Sequence, residues 1–222
     1  MQSTSKFDSL ISAYLDVKDY VIAAGYAAEI DWQEERRLSD ITECAFLREA
    51  AWVILASGIS ELVVRCRFPQ ISKVFFNWAS ANKIIKGKVL CRINALQVFH
   101  HERKIDAILK IASLVDDIGF SNVKLGIQRE GLEYVRRLPY MGSATSFHLA
   151  KNLGIDVVKP DRHLVRIARA TKYDSPQEMC ELIASSTGER LSVIDLVIWR
   201  FATLNRDYLI PFKTNKRPPA GF

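Results

Sequence analysis

Between Leu138 and Ile167 the chain is punctuated so tightly that few backbone paths are open to it. Leu138-Pro139-Tyr140-Met141-Gly142 has the composition of a tight hairpin, with proline fixing φ at the entry and glycine at the exit. Ser143 to Leu153 then carries an apolar stripe at helical spacing. Ile155 to Val158 reads as a short extended stretch, and Pro160 disfavours helix at Lys159. Asp161 follows as the N-cap of a further helix, with Leu164, Val165 and Ile167-Ala168 as its buried face.

The two helix starts in this run suit two kinds of chemistry. The first N–H groups of a helix lack intrahelical partners and carry the positive end of the dipole, so a start opened by glycine can accept an anion such as a phosphate. Gly142 removes the Cβ that would keep a phosphate from those amides, and tolerates positive φ. Such contacts position a nucleic-acid backbone without reading its sequence. Asp161 is a carboxylate fixed in direction at the second start, where the dipole stabilises its charge. It is either a cap alone or a cap that also stabilises a developing positive charge.

The run LPYMGSAT…KPDRHLVRIA resembles the helix-hairpin-helix GPD superfamily of DNA glycosylases, the endonuclease III and alkylpurine glycosylase type. The family hairpin has the form L-P-G-V-G-x-K-T-A, matched by Leu138, Pro139, Gly142 and Thr145. Its aspartate lies in V-D-T-H-V-x-R, where Asp161, His163, Val165 and Arg166 fit. The match is specific over about 35 residues and looser over 46–200. Tyr140 replaces the first hairpin glycine, and Ala144 stands where bifunctional members carry a Schiff-base lysine. Without an amine there no imine to the sugar forms, so the resemblance implies a monofunctional enzyme that uses water. The backbone of Leu138, Tyr140, Met141, Gly142, Ala144 and Thr145 would hold the DNA strand, with Asp161 catalytic. Several members carry an iron–sulfur cluster on four closely spaced cysteines near the C-terminus. Only Cys180 lies there, so no cluster, metal or other cofactor is expected.

The composition is that of a globular chain, 49% apolar and 25% charged, and 222 residues suffice for one domain or two small lobes. A formal charge of +6 suits a polyanionic partner. Cys44, Cys66, Cys91 and Cys180 show no C-x-x-C pair or metal-ligand spacing, and buried thiols in a reducing compartment are expected. The first ten residues lack a signal-peptide pattern, and the charge-free apolar run Ala50 to Ser60 is too short for a bilayer. The expectation is a soluble cytoplasmic protein, a monomer on double-stranded DNA bearing a lesion or modified base, with no membrane partner.

Helical periodicity dominates, so the fold class expected is all-α. Helical patterns run over Phe7 to Ala24 (ending at Gly25), Phe68 to Trp78, Lys104 to Ile118 and Leu132 to Arg137. Asp40 with Glu43 resembles a capping box ahead of Phe46-Leu47. Ser175-Pro176 starts a helix that Gly188 closes, and Ser192 opens a last one through Phe201. Only Lys88 to Ile93 looks strand-like, and Lys213 to Phe222, rich in Pro and Lys, is expected to be loosely packed. By resemblance, residues 41–157 form a helical barrel domain and 1–40 with 158–222 a second lobe, with a DNA-binding cleft between them.

Further candidates are weaker. Ile59, in the loop after Trp52 to Leu55, is the wedge that would fill the gap left by a flipped base, or else a core residue. Tyr26, Trp32, Trp52 and the hairpin's Tyr140 offer aromatic walls for a base pocket, and Glu49 or Glu43 an acceptor for an exocyclic amine, unless they only pack. His148, Arg162, His163 and Arg166 are DNA-contact candidates, with Arg169 and Lys172 extending the basic stripe. Trp199 reads as core, and Lys151 as solvated or phosphate-facing. The resemblance favours excision of a damaged base, an alkylpurine first. Its rivals are a non-catalytic DNA-binding module and a bifunctional glycosylase/lyase using another lysine.

Overall fold

A computed structural model describes residues 2–214 and is helical throughout, with no strand among them. Residues 215–222, most of the Pro- and Lys-rich terminus, lie outside the described residues. The chain divides into two compact units, 37–155 and 1–36 with 156–222.

The 37–155 unit is built around α3 (Glu43–Ala56) and α7 (Glu102–Ile118). α7 presents Ile105, Ile108, Ile111, Ala112 and Val115 inward, and α3 answers with Phe46, Ala50, Val53 and Ile54. The cap of α3 is Thr42, whose hydroxyl accepts from the Ala45 amide at 3.2 Å, and not Asp40, which sits in a 3-10 turn (Leu38–Asp40). Glu43 does not reach back as a capping box would; it accepts from the Ala81 amide at 2.7 Å and pins the start of α5 (Ala81–Lys86).

The helix expected over Phe68 to Trp78 begins earlier and ends sooner. α4 spans Glu61–Val74, and Phe76, Asn77 and Trp78 form a left-handed turn with φ between +50° and +64°. L-residues adopt that backbone at a cost of about 1 kcal/mol each. Burial of Trp78, stacked on Phe75 at 5.0 Å and donating to the Ser72 hydroxyl at 2.9 Å, offsets it.

The segment that looked like a strand is helix α6 (Lys88–Val98). Cys91 and Ala95, four apart, face the core, while Val89, Leu90 and Ile93 stand exposed. The β-branched residues of that stretch, Val89 and Ile93, lie mostly outside the core, so they do not report on its packing. α8 (Phe120–Glu130), α9 (Leu132–Arg136) and α10 (Ser143–Asn152) complete the unit, α10 packing on α3 and α9.

The other unit has its own core. α1 (Gln2–Val21) lays Leu10, Tyr14, Val17 and Val21 against Ile194, Val197, Ile198 and Phe201 of α13 (Leu191–Leu204). A π-helical turn, Ile22–Tyr26, kinks at Gly25 (φ +90°) into α2 (Ala27–Glu35). α11 (Arg162–Ala170) buries Leu164, Ile167 and Ala168, whereas Val165 is only half-buried. α12 (Pro176–Thr187) starts as its sequence predicts, with the Ser175 hydroxyl accepting from the Glu178 amide, and ends on Gly188 at φ +73°, a left-handed closure that favours glycine. α13 is opened by Arg190 and not Ser192; Ser192 lies inside the helix and donates its amide to Asp156 Oδ1 at 2.8 Å. A short α14 (Ile210–Thr214) follows.

Of the cysteines, Cys91 and Cys180 are buried as expected, Cys44 is half-buried and Cys66 is exposed. No helix among the described residues is long and apolar enough to cross a membrane.

Candidate functional site

The hairpin lies within the 37–155 unit. Leu138 to Met141 is a four-residue turn closed by the Met141 amide on the Leu138 carbonyl at 3.1 Å. Pro139 occupies its second position and Tyr140, at φ +69°, its third, the place where such a turn favours glycine. The left-handed residue is therefore Tyr140; Gly142, at φ −73° and ψ −172°, is extended backbone at the N-cap of α10. Leu138 and Met141 bury their side chains and anchor the turn to the core. The Thr145 hydroxyl donates to the Tyr140 carbonyl at 3.0 Å, which locks the turn onto the helix behind it.

What this leaves outward is backbone. Gly142, Ser143 and Ala144 are exposed, and no side chain caps the first amides of α10. A Cβ on Gly142 would meet only the Thr145 hydroxyl, at 3.9 Å, so the glycine leaves open space beside those amides. That is the arrangement an anion needs.

Asp161 lies in the other unit, at the start of α11. Its Oδ1 accepts from the His163 amide at 2.8 Å and the Leu164 amide at 3.0 Å, and Oδ2 makes no hydrogen bond among the described residues. One oxygen thus orients the group while the other is available. The approach is pinned by two acids of the 156–214 segment. Asp195, buried on α13, accepts from the Lys159 amide at 2.5 Å, and Asp156 accepts from the amide of Ser192.

Arg162, Arg166 and Arg169 are exposed along α11 at spacings of four and three, a single helical stripe. No carboxylate pairs with any of them among the described residues, whereas Arg92, Arg137, Arg190 and Arg200 all have acidic partners. Arg162 donates to His163 Nε2 at 3.3 Å, and Arg166 to the Tyr208 hydroxyl at 3.4 Å. His163 packs edge-on against Tyr208 with ring centres 5.0 Å apart. Burial lowers its pKa below the ordinary imidazole value, Asp161 opposes this, and Arg162 and Arg166 add to it. His163 is thus a half-buried, ring-packed neighbour of Asp161.

The remaining candidates divide between the two units. Tyr26 and Trp32 belong to the unit of Asp161. The Arg200 guanidinium lies 4.5 Å from the centre of the Tyr26 ring, and Arg200 is held in turn by Glu29. Trp199 is half-buried under the same guanidinium at 4.8 Å, and Trp32 is 41% exposed beside Arg36.

Glu49, Trp52 and Ile59 belong to the hairpin's unit. Glu49 is buried and engaged, with Oε1 on Arg48 at 3.0 Å and Oε2 on Asn152 at 2.9 Å, a tie between α3 and α10. Trp52 packs edge-on against Phe68 at 5.0 Å. Ile59 is half-buried beside exposed Gly58, whose φ of +70° turns the chain out of α3. His148 is half-buried and Lys151 buried, so Lys151 is not solvated as expected.

Sequence reasoning missed Asp195, Asn152 and Lys104. Asp195 carried the one available signal, a lone acid within the apolar run Val193 to Trp199. No group of three or more His, Cys, Asp or Glu among the described residues could hold a metal ion. No family model, no curated protein and no solved structure matches this chain.

Proposed function

We propose that this protein is a monofunctional DNA N-glycosylase that excises a damaged or modified base, with alkylpurines the first class to test. The observation that carries the reading is Asp161, one oxygen committed to orientation and the other open among the described residues, beside an arginine stripe with no carboxylate partner among them. A binding module gains nothing from an anion held among cations that would face phosphates. An enzyme does: breaking an N-glycosidic bond leaves positive charge on the sugar, and a fixed carboxylate stabilises it.

In this reading the α10 amides hold a phosphate and the arginines of α11 neutralise others. Asp161 Oδ2 then faces the sugar and helps align water. Ala144 supplies no amine at the position where a lyase needs one, and alkylpurines, being good and often cationic leaving groups, need little acid catalysis.

The test is base release from a panel of duplexes, each with a single lesion, scored as abasic sites, with wild type and Asp161→Asn side by side. Release from one class by wild type, at least ~100-fold slower in the variant, is the expected result. Salt-dependent binding with no release from any duplex would establish the non-catalytic module instead. A covalent adduct trapped by borohydride would establish a lyase.

A further inference from the structure

Lys104, on the first turn of α7, is 1% exposed, and no carboxylate pairs with it among the described residues. Its ammonium instead donates to three carbonyls, those of Ile54 at 2.5 Å, Leu55 at 3.0 Å and Ser57 at 2.6 Å. These are the last turn of α3 and the residue that ends it, directly before the exposed Gly58 and half-buried Ile59. The same nitrogen stands 5.4 Å from the centre of the Tyr140 ring, the left-handed residue of the hairpin.

Burying a cation without a counter-ion is costly, and a methionine of similar length would fill the volume without that cost. The lysine gives what methionine cannot, three protons aimed at the negative end of a helix dipole and a charge beneath an aromatic ring. Desolvation lowers its pKa from 10.5 to about 8, so it remains an ammonium at neutral pH with all three protons in use. That full engagement also removes it as a nucleophile toward a sugar.

We infer that Lys104 is a positioning residue that fixes the 57–60 loop, carrying Ile59, against the 138–142 hairpin, so that insertion into the duplex and the grip on its backbone act as one. This inference rests on the glycosylase reading. Without the ammonium, the carbonyls of Ile54, Leu55 and Ser57 lose their shared donor and the loop loosens. The first amides of α10 lie past the turn and are not partners of the ammonium. Backbone affinity and base displacement should therefore separate.

The probe is a duplex with a tetrahydrofuran abasic-site analogue opposite 2-aminopurine. Insertion of a wedge into the gap changes the fluorescence of the opposing base. Wild type is expected to bind and to change the signal. Lys104→Met should bind within about threefold of wild-type affinity yet lose at least ~10-fold of the fluorescence response. Lys104→Gln, which retains two donors, should recover part of that response, and it serves the same comparison should the methionine variant not fold.

A full response in the folded variants overturns the inference and leaves the glycosylase reading standing. So does an equal loss of affinity and response. Failure of the wild-type protein to bind or respond overturns both. In the free protein, amide exchange should quicken in Lys104→Met at both 57–60 and 140–142; quickening confined to 54–58 would also overturn the link.

Discussion

At Asp161 a structural role and a chemical one fall on different oxygens, so substitutions can separate them. Asparagine caps a helix about as well as aspartate. Asp161→Asn should thus leave urea-unfolding stability within about 0.5 kcal/mol of wild type while base release collapses. Asp161→Ala loses the cap as well and should cost about 1 kcal/mol in the same titration. If both variants release base at the wild-type rate, Asp161 is a cap alone.

Lys104 allows a test by pH. Its pKa is lowered by desolvation to about 8 in the folded protein from 10.5, so between those values the unfolded chain holds the extra proton. Stability then rises with pH across that window, and the contribution is lost again as pH falls through 8. The difference in unfolding free energy, wild type minus Lys104→Met, should climb by up to roughly 3 kcal/mol from pH 7.5 to pH 10.5. A flat difference would mean that the ammonium is not desolvated.

At the scale of elements, what was legible in the sequence is what is local. Ser175-Pro176, Gly188 and Asp161 mark helix ends through their own backbones, and each acts there as read. Partners brought by tertiary structure were not legible. Lys104 reads as one more charge opening an amphipathic helix, because the carbonyls that occupy it lie about 50 residues earlier. Glu43 fits a capping box until the Ala81 amide takes it. Hairpin geometry was half legible: the turn was recognised and Gly142 read as the residue that tolerates positive φ, whereas the structure places positive φ on Tyr140. At the candidate site, the place of Asp161 at a helix start was legible and its support was not. Asp195 shows this best, since its carboxylate fixes the stretch that delivers Asp161. Asp195→Ala leaves the Lys159 amide without that partner. It should cost about 1–3 kcal/mol in stability and slow base release more than its stability loss explains, read as kcat at a temperature where the variant is fully folded.

For the whole molecule, the formal +6 says that a polyanion is welcome but not where it binds. Two clusters of exposed cations distinguish a general charge effect from a site. Arg162, Arg166 and Arg169 line α11 without carboxylate partners among the described residues, and Lys83, Lys86 and Lys88 lie across the α5–α6 junction. Changing either trio to glutamine takes three charges from +6 and leaves +3. If net charge governs association, both triple variants should weaken binding to a duplex equally. Phosphate contacts obey a different rule: each one neutralised releases counter-ions, and the slope of log affinity against log salt falls by about 0.9 per lost contact. The arginine triple should therefore flatten that slope by about 2 to 3, to a similar extent on any duplex sequence, while the lysine triple should leave it within about 0.5 of wild type. Fluorescence anisotropy with one labelled duplex between 50 and 200 mM salt reads both slopes. Equal flattening by the two trios would reduce the stripe beside Asp161 to ordinary surface charge.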